Sequence, residues 1–578
     1  MRGFTFVEAG LKHCLEVNQI DGLQIDLIEN EAFSIHRQTV AKFLDDKLFF
    51  DSLEYTVVLD GVLFNKKELI KNYQKTHLKD VLIEMYHSQG EEFFDEFRGS
   101  FSGIFIDKKN RLQLYFTSHV GEHPLYYFDS EDPTIVSSRV SPIVELLKLN
   151  KLSHTLSSEG AYCLLTHGYM LGEYTLVNTI KKVPAGSYLK IKDGKKKICT
   201  YFSFENKLNF NLSESAIIES IDQLFLNSIK QIVAKNQEYN YTNYASLSAG
   251  LDTRVINYAF KRLGVKNVIN FSYSQSKHYD ETISQQVAAD LQREWYFKAL
   301  DDASSITDNI DEVVRLNDGM VLYFGPGQVS DSFDLLDDAQ LGLISTGLLG
   351  GSVVSLEDVN PHAENFTISK GAYSTKLIHQ LEKYLPENFT STYSNVELFK
   401  LNNRLFNGAN FGAPLTYLEK SISFSPFYEV DFLSFCLSIP PKFRLNYRIY
   451  DKWILKYYPE AARFSHNGIR KIGQQPIQIG KKQFYFTSLG ETFKQIKRKI
   501  GLAPSQLNSP NHMNPLDYWY TSSPKVKAYL DGYFQNNIDL LANQELKNDC
   551  ISLYSQGNTI EKTQVLTLLG ANKLFFTE

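Results

Sequence analysis

An α/β fold built from two domains is predicted by three features of this sequence. Its 578 residues exceed what a single core supports. The first two hundred residues carry apolar runs of period two, whereas the rest alternates short apolar runs with longer amphipathic ones. Between the two regimes, Phe204 to Ser213 is a polar stretch where one pattern stops and the other begins. The expected division is therefore residues 1–205, a β-rich layered domain, and residues 206–578, an α/β domain whose last part is mainly helical.

Within the first part, Tyr55 to Leu63, Gly103 to Asp107 and Leu112 to Thr117 read as strands. An amphipathic helix from Ala216 to Val233 opens the second part. The apolar run Tyr244 to Leu247 then stops at Ser248-Ala249-Gly250-Leu251-Asp252-Thr253-Arg254, and a helical run from Val255 to Leu263 follows. A strand that ends in small residues and feeds a helix points several backbone N–H groups at one spot, which also feels the positive end of the helix dipole. Ala249 and Gly250 allow close approach of an anion, and Ser248 and Thr253 add hydroxyl donors. Asp252 suits such a place when a divalent cation bridges it to the anion, so the loop predicts a Mg²⁺–nucleotide site. The alternative is an ordinary strand-to-helix turn with Ser and Asp as caps. A Walker loop is excluded, because no Lys stands in the required register.

Composition sets the surroundings. With 43% apolar and 22% charged residues, 34 Tyr and 40 Phe, the chain is that of a folded protein. A net charge of −6 supplies no basic field, so no nucleic-acid partner is expected, and Lys195-Lys196-Lys197 and Lys494 to Lys499 read as solvated faces. Cys14, Cys163, Cys199, Cys436 and Cys550 lack the spacing of a zinc site or disulfide framework, which suits a reducing, cytoplasmic setting. Neither a signal segment nor a membrane-length apolar run is visible, and no membrane partner is expected.

The order Ser248-Ala249-Gly250-Leu251-Asp252-Thr253 resembles the pyrophosphate loop of the N-type ATP pyrophosphatases. Val268 to Tyr273 reads as a second strand, followed by Tyr279-Asp280-Glu281-Thr282 and a helical run Ile283 to Leu291; that succession is similar to asparagine synthetase. Further segments carry the same resemblance: Asp60-Gly61-Val62-Leu63-Phe64-Asn65, Phe97 to Gly103, His119 to Tyr127, and Pro184-Ala185-Gly186 in the first half. In the second half they are Ser425-Pro426-Phe427-Tyr428, Asp451-Lys452-Trp453-Ile454-Leu455 and Arg470-Lys471-Ile472-Gly473.

This resemblance implies an N-terminal αββα sandwich of the Ntn-hydrolase type. It also implies a C-terminal domain of the adenine-nucleotide α-hydrolase type, with a Rossmann-like parallel sheet. It implies ATP on Leu247, Ser248, Ala249, Gly250, Leu251, Asp252, Thr253, Ser272 and Gly347, with the adenine near Phe271 to Tyr273, Mg²⁺ on Asp252, and Lys471 as the catalytic cation facing the leaving pyrophosphate. Several positions depart from the family pattern. Arg2 stands where the nucleophilic Cys belongs, Asp60 precedes Gly61 in place of a donor-supplying Asn, and the glutamine-binding Asp falls near Leu78. In Leu343 to Ser352, Gly347 and Gly350 keep their places, but the second metal Asp is Gly351 and the family's Glu is Leu348, which leaves the metal to waters, to ATP itself or to a recruited residue such as Glu357 or Asp358.

The leading expectation is an ATP-dependent ligase that adenylates a small-molecule or peptide carboxylate and forms an amide bond without glutaminase activity of its own. A non-catalytic relative that binds nucleotide or a partner protein is the second reading, and asparagine synthesis from free ammonia the third. A homodimer is the possible assembly. The final run Glu561 to Phe576 reads as an amphipathic helix used in packing.

Overall fold

The structure is a computed structural model, and it describes residues 2–13, 22–356, 361–464, 472, 477–479, 482–484, 509–510 and 512–577. Its first half contains two antiparallel sheets. One runs in the order β10-β8-β9-β1-β3-β2, with β1 Gly3–Glu8, β2 Leu23–Glu29, β3 Phe33–Val40, β8 Tyr126–Phe128, β9 Ile135–Ser137 and β10 Ile180–Lys182. The other runs β12-β11-β7-β6-β5-β4, with β4 Leu48–Asp51, β5 Tyr55–Leu63, β6 Gly99–Asp107, β7 Leu112–Thr117, β11 Ser187–Lys192 and β12 Lys195–Thr200.

Alternation along these strands builds the layers. Val58, Ile104, Ile106 and Leu189 of the second sheet meet Phe4, Phe6, Phe33 and Ile35 of the first. Their neighbours Val57, Leu59, Phe105 and Leu114 point the other way, onto Leu69 of α1 (Lys66–Asn72) and Val81, Leu82 and Met85 of α2 (Leu78–Gln89). The outer face of the first sheet, through Val7, Tyr126 and Ile135, is covered by α3 (Val140–Leu149) and α4 (Ser158–His167). The order of layers is α, β, β, α.

The second half begins with α5 (Glu214–Glu238), whose N-cap Ser213 accepts a hydrogen bond from the Ala216 N–H. A parallel sheet follows in the order β15-β14-β13-β16-β17, made of β13 Thr242–Ser246, β14 Val268–Ser274, β15 Trp295–Ala299, β16 Leu341–Ser345 and β17 Ser423–Phe424. Crossover helices α6 (Leu251–Arg262) and α7 (Tyr279–Leu291) connect the first three strands. The chain moves one way from β13 and later returns to its other side at β16, so the C-terminal ends of these two strands form a topological switch point. β17 lies in a region expected to be helical; two residues are too few for any period to register.

The halves share one core. Ile143, Leu164 and Leu165 of α3 and α4 pack with Leu566 and Leu569 of the helix Thr559–Phe576, whose start carries a capping box of Asn558 and Glu561. Arg139, the N-cap of α3, reaches Asp318 at 2.9 Å. Cys163, Cys436 and Cys550 are buried free thiols, Cys199 is partly buried, and Cys14 lies outside the described residues. Among the described residues no helix is long and apolar enough to cross a membrane.

Candidate functional site

The loop that leaves β13 is wound tightly on itself. The Ser248 N–H donates to Thr253 Oγ1 at 3.0 Å, the two hydroxyls stand 2.9 Å apart, and the Gly250 N–H donates to Ser248 Oγ at 3.1 Å. The Ala249 N–H donates to Asp280 Oδ1 at 2.7 Å. Asp280 belongs to the first turn of α7 and its other oxygen lies 3.1 Å from His278 Nδ1. A carboxylate therefore takes up one of the backbone amides that precede α6. Leu247 is buried in the core beneath the loop, and Leu251 is the first residue of α6.

Asp252, partly buried, accepts a hydrogen bond from the Tyr450 hydroxyl and is faced by the Gly351 N–H. Burial raises its pKa above the usual carboxylate value, and those two donors oppose the rise. The turn after β16 packs directly on this carboxylate. A Cβ at Gly347 would stand 2.8 Å from Thr253 Cγ2, and one at Gly350 would stand 2.3 Å from Asp252 Oδ1, so both positions require Gly. A Cβ at Gly351 would meet only ordinary contacts, 3.7 Å from the Tyr447 ring and 3.8 Å from both Asp252 oxygens. Position 351 thus faces the carboxylate as a second metal ligand would. Leu349 holds φ 70° and ψ −13°, a left-handed conformation rare for a bulky residue, while the Leu348 carbonyl accepts from Ser425 Oγ at 2.7 Å.

Mg²⁺ commonly takes one or two protein carboxylates and completes its shell with phosphate oxygens and water. The described residues supply Asp252 at this spot and contain no group of three or more His, Cys, Asp or Glu placed to hold a metal. That donor set fits an ion carried in on a nucleotide, held through the Asp252 oxygen that Tyr450 leaves free, where it would neutralise phosphate charge.

The Ser272 side chain, expected at the nucleotide, is engaged within the sheet. Its hydroxyl donates to the Leu247 carbonyl at 2.6 Å and accepts from the Trp295 indole at 2.9 Å, so it ties strands together. Phe271 is likewise buried in a core cluster and offers no face to an adenine. Lys471, Glu357 and Asp358 lie outside the described residues. Three participants were not assigned roles from sequence: Tyr450, Asp280 as the partner of the loop amide, and Arg254. Arg254 is buried, its pKa pushed down to about 10 by desolvation, and it donates to the carbonyls of Ala461 at 2.7 Å and Phe464 at 2.8 Å. It thereby anchors the segment that leads toward Lys471. The one sequence signal for Tyr450 is its place directly before Asp451-Lys452-Trp453.

In the first half, Arg2, Lys47, Asp60, Ser102, His123 and Arg139 line a small cavity of about 30 Å³, space for roughly one water. Burial works to raise the Asp60 pKa, but the charges of Lys47 (3.6 Å), His123 and Arg37 and the Thr39 hydroxyl (2.8 Å) prevail and lower it. Asp60 is thus an acceptor, unlike the donor an oxyanion would need. Gly61, at φ 127°, is required because a Cβ would stand 2.1 Å from the Ser100 carbonyl oxygen. Arg2 Nε lies 3.5 Å from Glu419 Oε2, and Leu78 is buried in the core under α2, away from the cavity.

An αββα sandwich joined to a doubly wound parallel sheet, with a tight strand–loop–helix turn at its switch point, defines the class. Residues 45–202 match the sequence profile of a glutamine amidotransferase domain. Asparagine synthetase B (glutamine-hydrolyzing) of Escherichia coli K12 is 22% identical over 230 residues, 38% of this chain and 35% of that enzyme. Asparagine synthetase (glutamine-hydrolyzing) 2 of Bacillus subtilis 168 is 21% identical over 306 residues, 49% of this chain and 40% of that one. The matches therefore span well under half the length of these relatives. Of solved structures, glutamine phosphoribosylpyrophosphate amidotransferase from B. subtilis aligns over 52% of this chain and 85% of its own at 9% identity, with a TM-score of 0.24. NAD⁺ synthetase from Burkholderia pseudomallei aligns over 43% and 94% at 12% identity, with a TM-score of 0.19. The chain is a relative of the asparagine synthetase family.

Proposed function

We propose that this protein activates a carboxylic acid with ATP and joins it to an amine, without releasing ammonia from glutamine. The observation that carries this reading is the convergence of the Ser248–Arg254 loop, the Asp252 carboxylate and the Gly347–Gly351 turn at one switch point. In the proposed sequence a carboxylate oxygen attacks the α-phosphorus of ATP and pyrophosphate departs; the amine then attacks the acyl carbon and AMP departs. The loop donors and the dipole of α6 would face the phosphates once Asp280 yields the Ala249 N–H. The one-water cavity and the Asp60–Lys47 pair support the absence of glutamine hydrolysis, which leaves an amine on the substrate or free ammonia as the nucleophile. With aspartate as the acid, the second case is asparagine synthesis.

The non-catalytic reading is favoured by two observations: Gly351 supplies no second carboxylate, and Asp280 already holds the Ala249 N–H. ATP–pyrophosphate exchange across a panel of carboxylic acids separates the two. Exchange that is lost in Asp252→Asn is expected. Tight ATP binding without exchange for any acid would favour a nucleotide-binding relative.

A further inference from the structure

A cavity of about 410 Å³ opens beside the helix Gly350–Val354. It is walled by Tyr169, Leu322, Val353 and, from the π-helix Leu401–Ala409, Leu401 and Leu405. Apolar walls around this volume suit the body of a drug-sized molecule, and π-helical segments recur at functional sites. The polar groups are few. Arg404 is exposed at the cavity, whereas Glu397 is offset by Arg444 at 2.6 Å. Nε and Nη1 of Arg444 have no partner among the described residues. Ser355 lines the cavity, is 2% exposed, and its hydroxyl has no partner among the described residues. Its N–H donates to the Gly351 carbonyl at 3.1 Å, so Ser355 stands one helical turn, roughly 5 Å along the axis, beyond the residue that faces Asp252.

We propose that this cavity holds the acid to be activated, and that the acid is an amphiphile. Its apolar acyl or aryl body lies among the leucines and Tyr169, and its carboxylate is drawn in by Arg404 and received by the Ser355 hydroxyl. The assignment of the cavity to the activated acid rests on the ligase reading above; the class of ligand does not.

Calorimetry on the full chain with octanoate, octanol and octylamine tests it, since the three probes share a body and differ in head group. Octanoate is expected to bind at least tenfold more tightly than octylamine. Leu405→Trp, which fills the cavity from a half-buried position, should weaken octanoate at least tenfold, and Ser355→Ala provides a second variant of small volume change with a several-fold loss. Arg404→Gln should erase the preference for octanoate over octanol while ATP binding is unchanged. Equal affinity for all three heads, or octanoate binding untouched in folded Leu405→Trp and Ser355→Ala, overturns the proposal. Pyrophosphate exchange, run with octanoate and with aspartate, distinguishes the two failures. Octanoate binding without exchange for any acid removes the ligase reading and keeps the ligand class. Exchange with aspartate and no octanoate binding keeps the ligase reading and removes the cavity proposal.

Discussion

At Asp252 the Tyr450 hydroxyl and the Gly351 N–H hold down a pKa that burial raises. Tyr450→Phe deletes one donor, so the charged form retreats to higher pH. The pH profile of magnesium-dependent ATP binding, followed by calorimetry, should move up by about one unit, the size expected for one hydrogen bond to a charge. An unmoved profile would mean that Asp252 is not the titrating ligand. The companion change is Gly351→Asp. The residue has no left-handed φ and its Cβ direction is open, so the variant should fold, whereas Gly350→Asp collides with Asp252. Two carboxylates about 4 Å apart repel by about 1–4 kcal/mol. Gly351→Asp should therefore lower stability without metal and raise magnesium affinity several-fold. The glycines of this turn were legible because their spacing lies in one short segment. Tyr450 was not, because it meets Asp252 across 198 residues and no local pattern announces that contact.

Between β7 and β8 the segment from Ser118 to Leu125 buries charge. Glu122, 3% exposed, has its pKa raised to about 7 by burial, against a hydrogen bond from the Ser118 hydroxyl. Since the folded value exceeds the unfolded one, the folded state holds a proton that the unfolded state has released. Stability from this group is complete below about pH 4.5 and is lost as pH rises through about 7, a change of about 3 kcal/mol. Glu122→Gln should flatten the decline, read from urea unfolding between about pH 5 and about pH 8. His123 does not imitate it, because burial pushes its pKa down to about 4 and leaves it neutral over that range. At this scale β5 and β7 were legible because each faces two different layers. α5 runs to Glu238, past the expected Val233, for a reason no local period reveals. Lys235 pairs with Asp46 at 2.8 Å and Asn236 donates to Asn243 at 2.9 Å, so tertiary partners extend a polar end.

Over the whole molecule, the sequence distinguishes a layered half from a parallel-sheet half, but not the core they share. That core is closed by pairs as remote as Gln564 and Leu164, whose amide and carbonyl meet at 3.0 Å across 400 residues. The first half carries the match to a glutamine amidotransferase domain, and its glutaminase chemistry is open to a direct test. Full-length protein should release no glutamate from glutamine, and Arg2→Cys should not restore release, because Asp60 and Leu78 remain; a coupled glutamate assay reads this directly. The last test concerns how the halves hold together. Asp318 accepts from Arg139 Nε and the Val140 N–H at 2.9 Å each and from the Ser141 hydroxyl, so one carboxylate of the second half anchors the start of α3 in the first. Asp318→Ala strands a buried guanidinium, at a cost of about 3–5 kcal/mol. The loss should lower a single calorimetric transition rather than split it, since α3 and α4 pack into the same core as the helix Thr559–Phe576. The double change Asp318→Leu with Arg139→Met removes both charges and should recover most of the stability. Two separated transitions, only one of them shifted, would show that the halves unfold independently despite the core drawn between them.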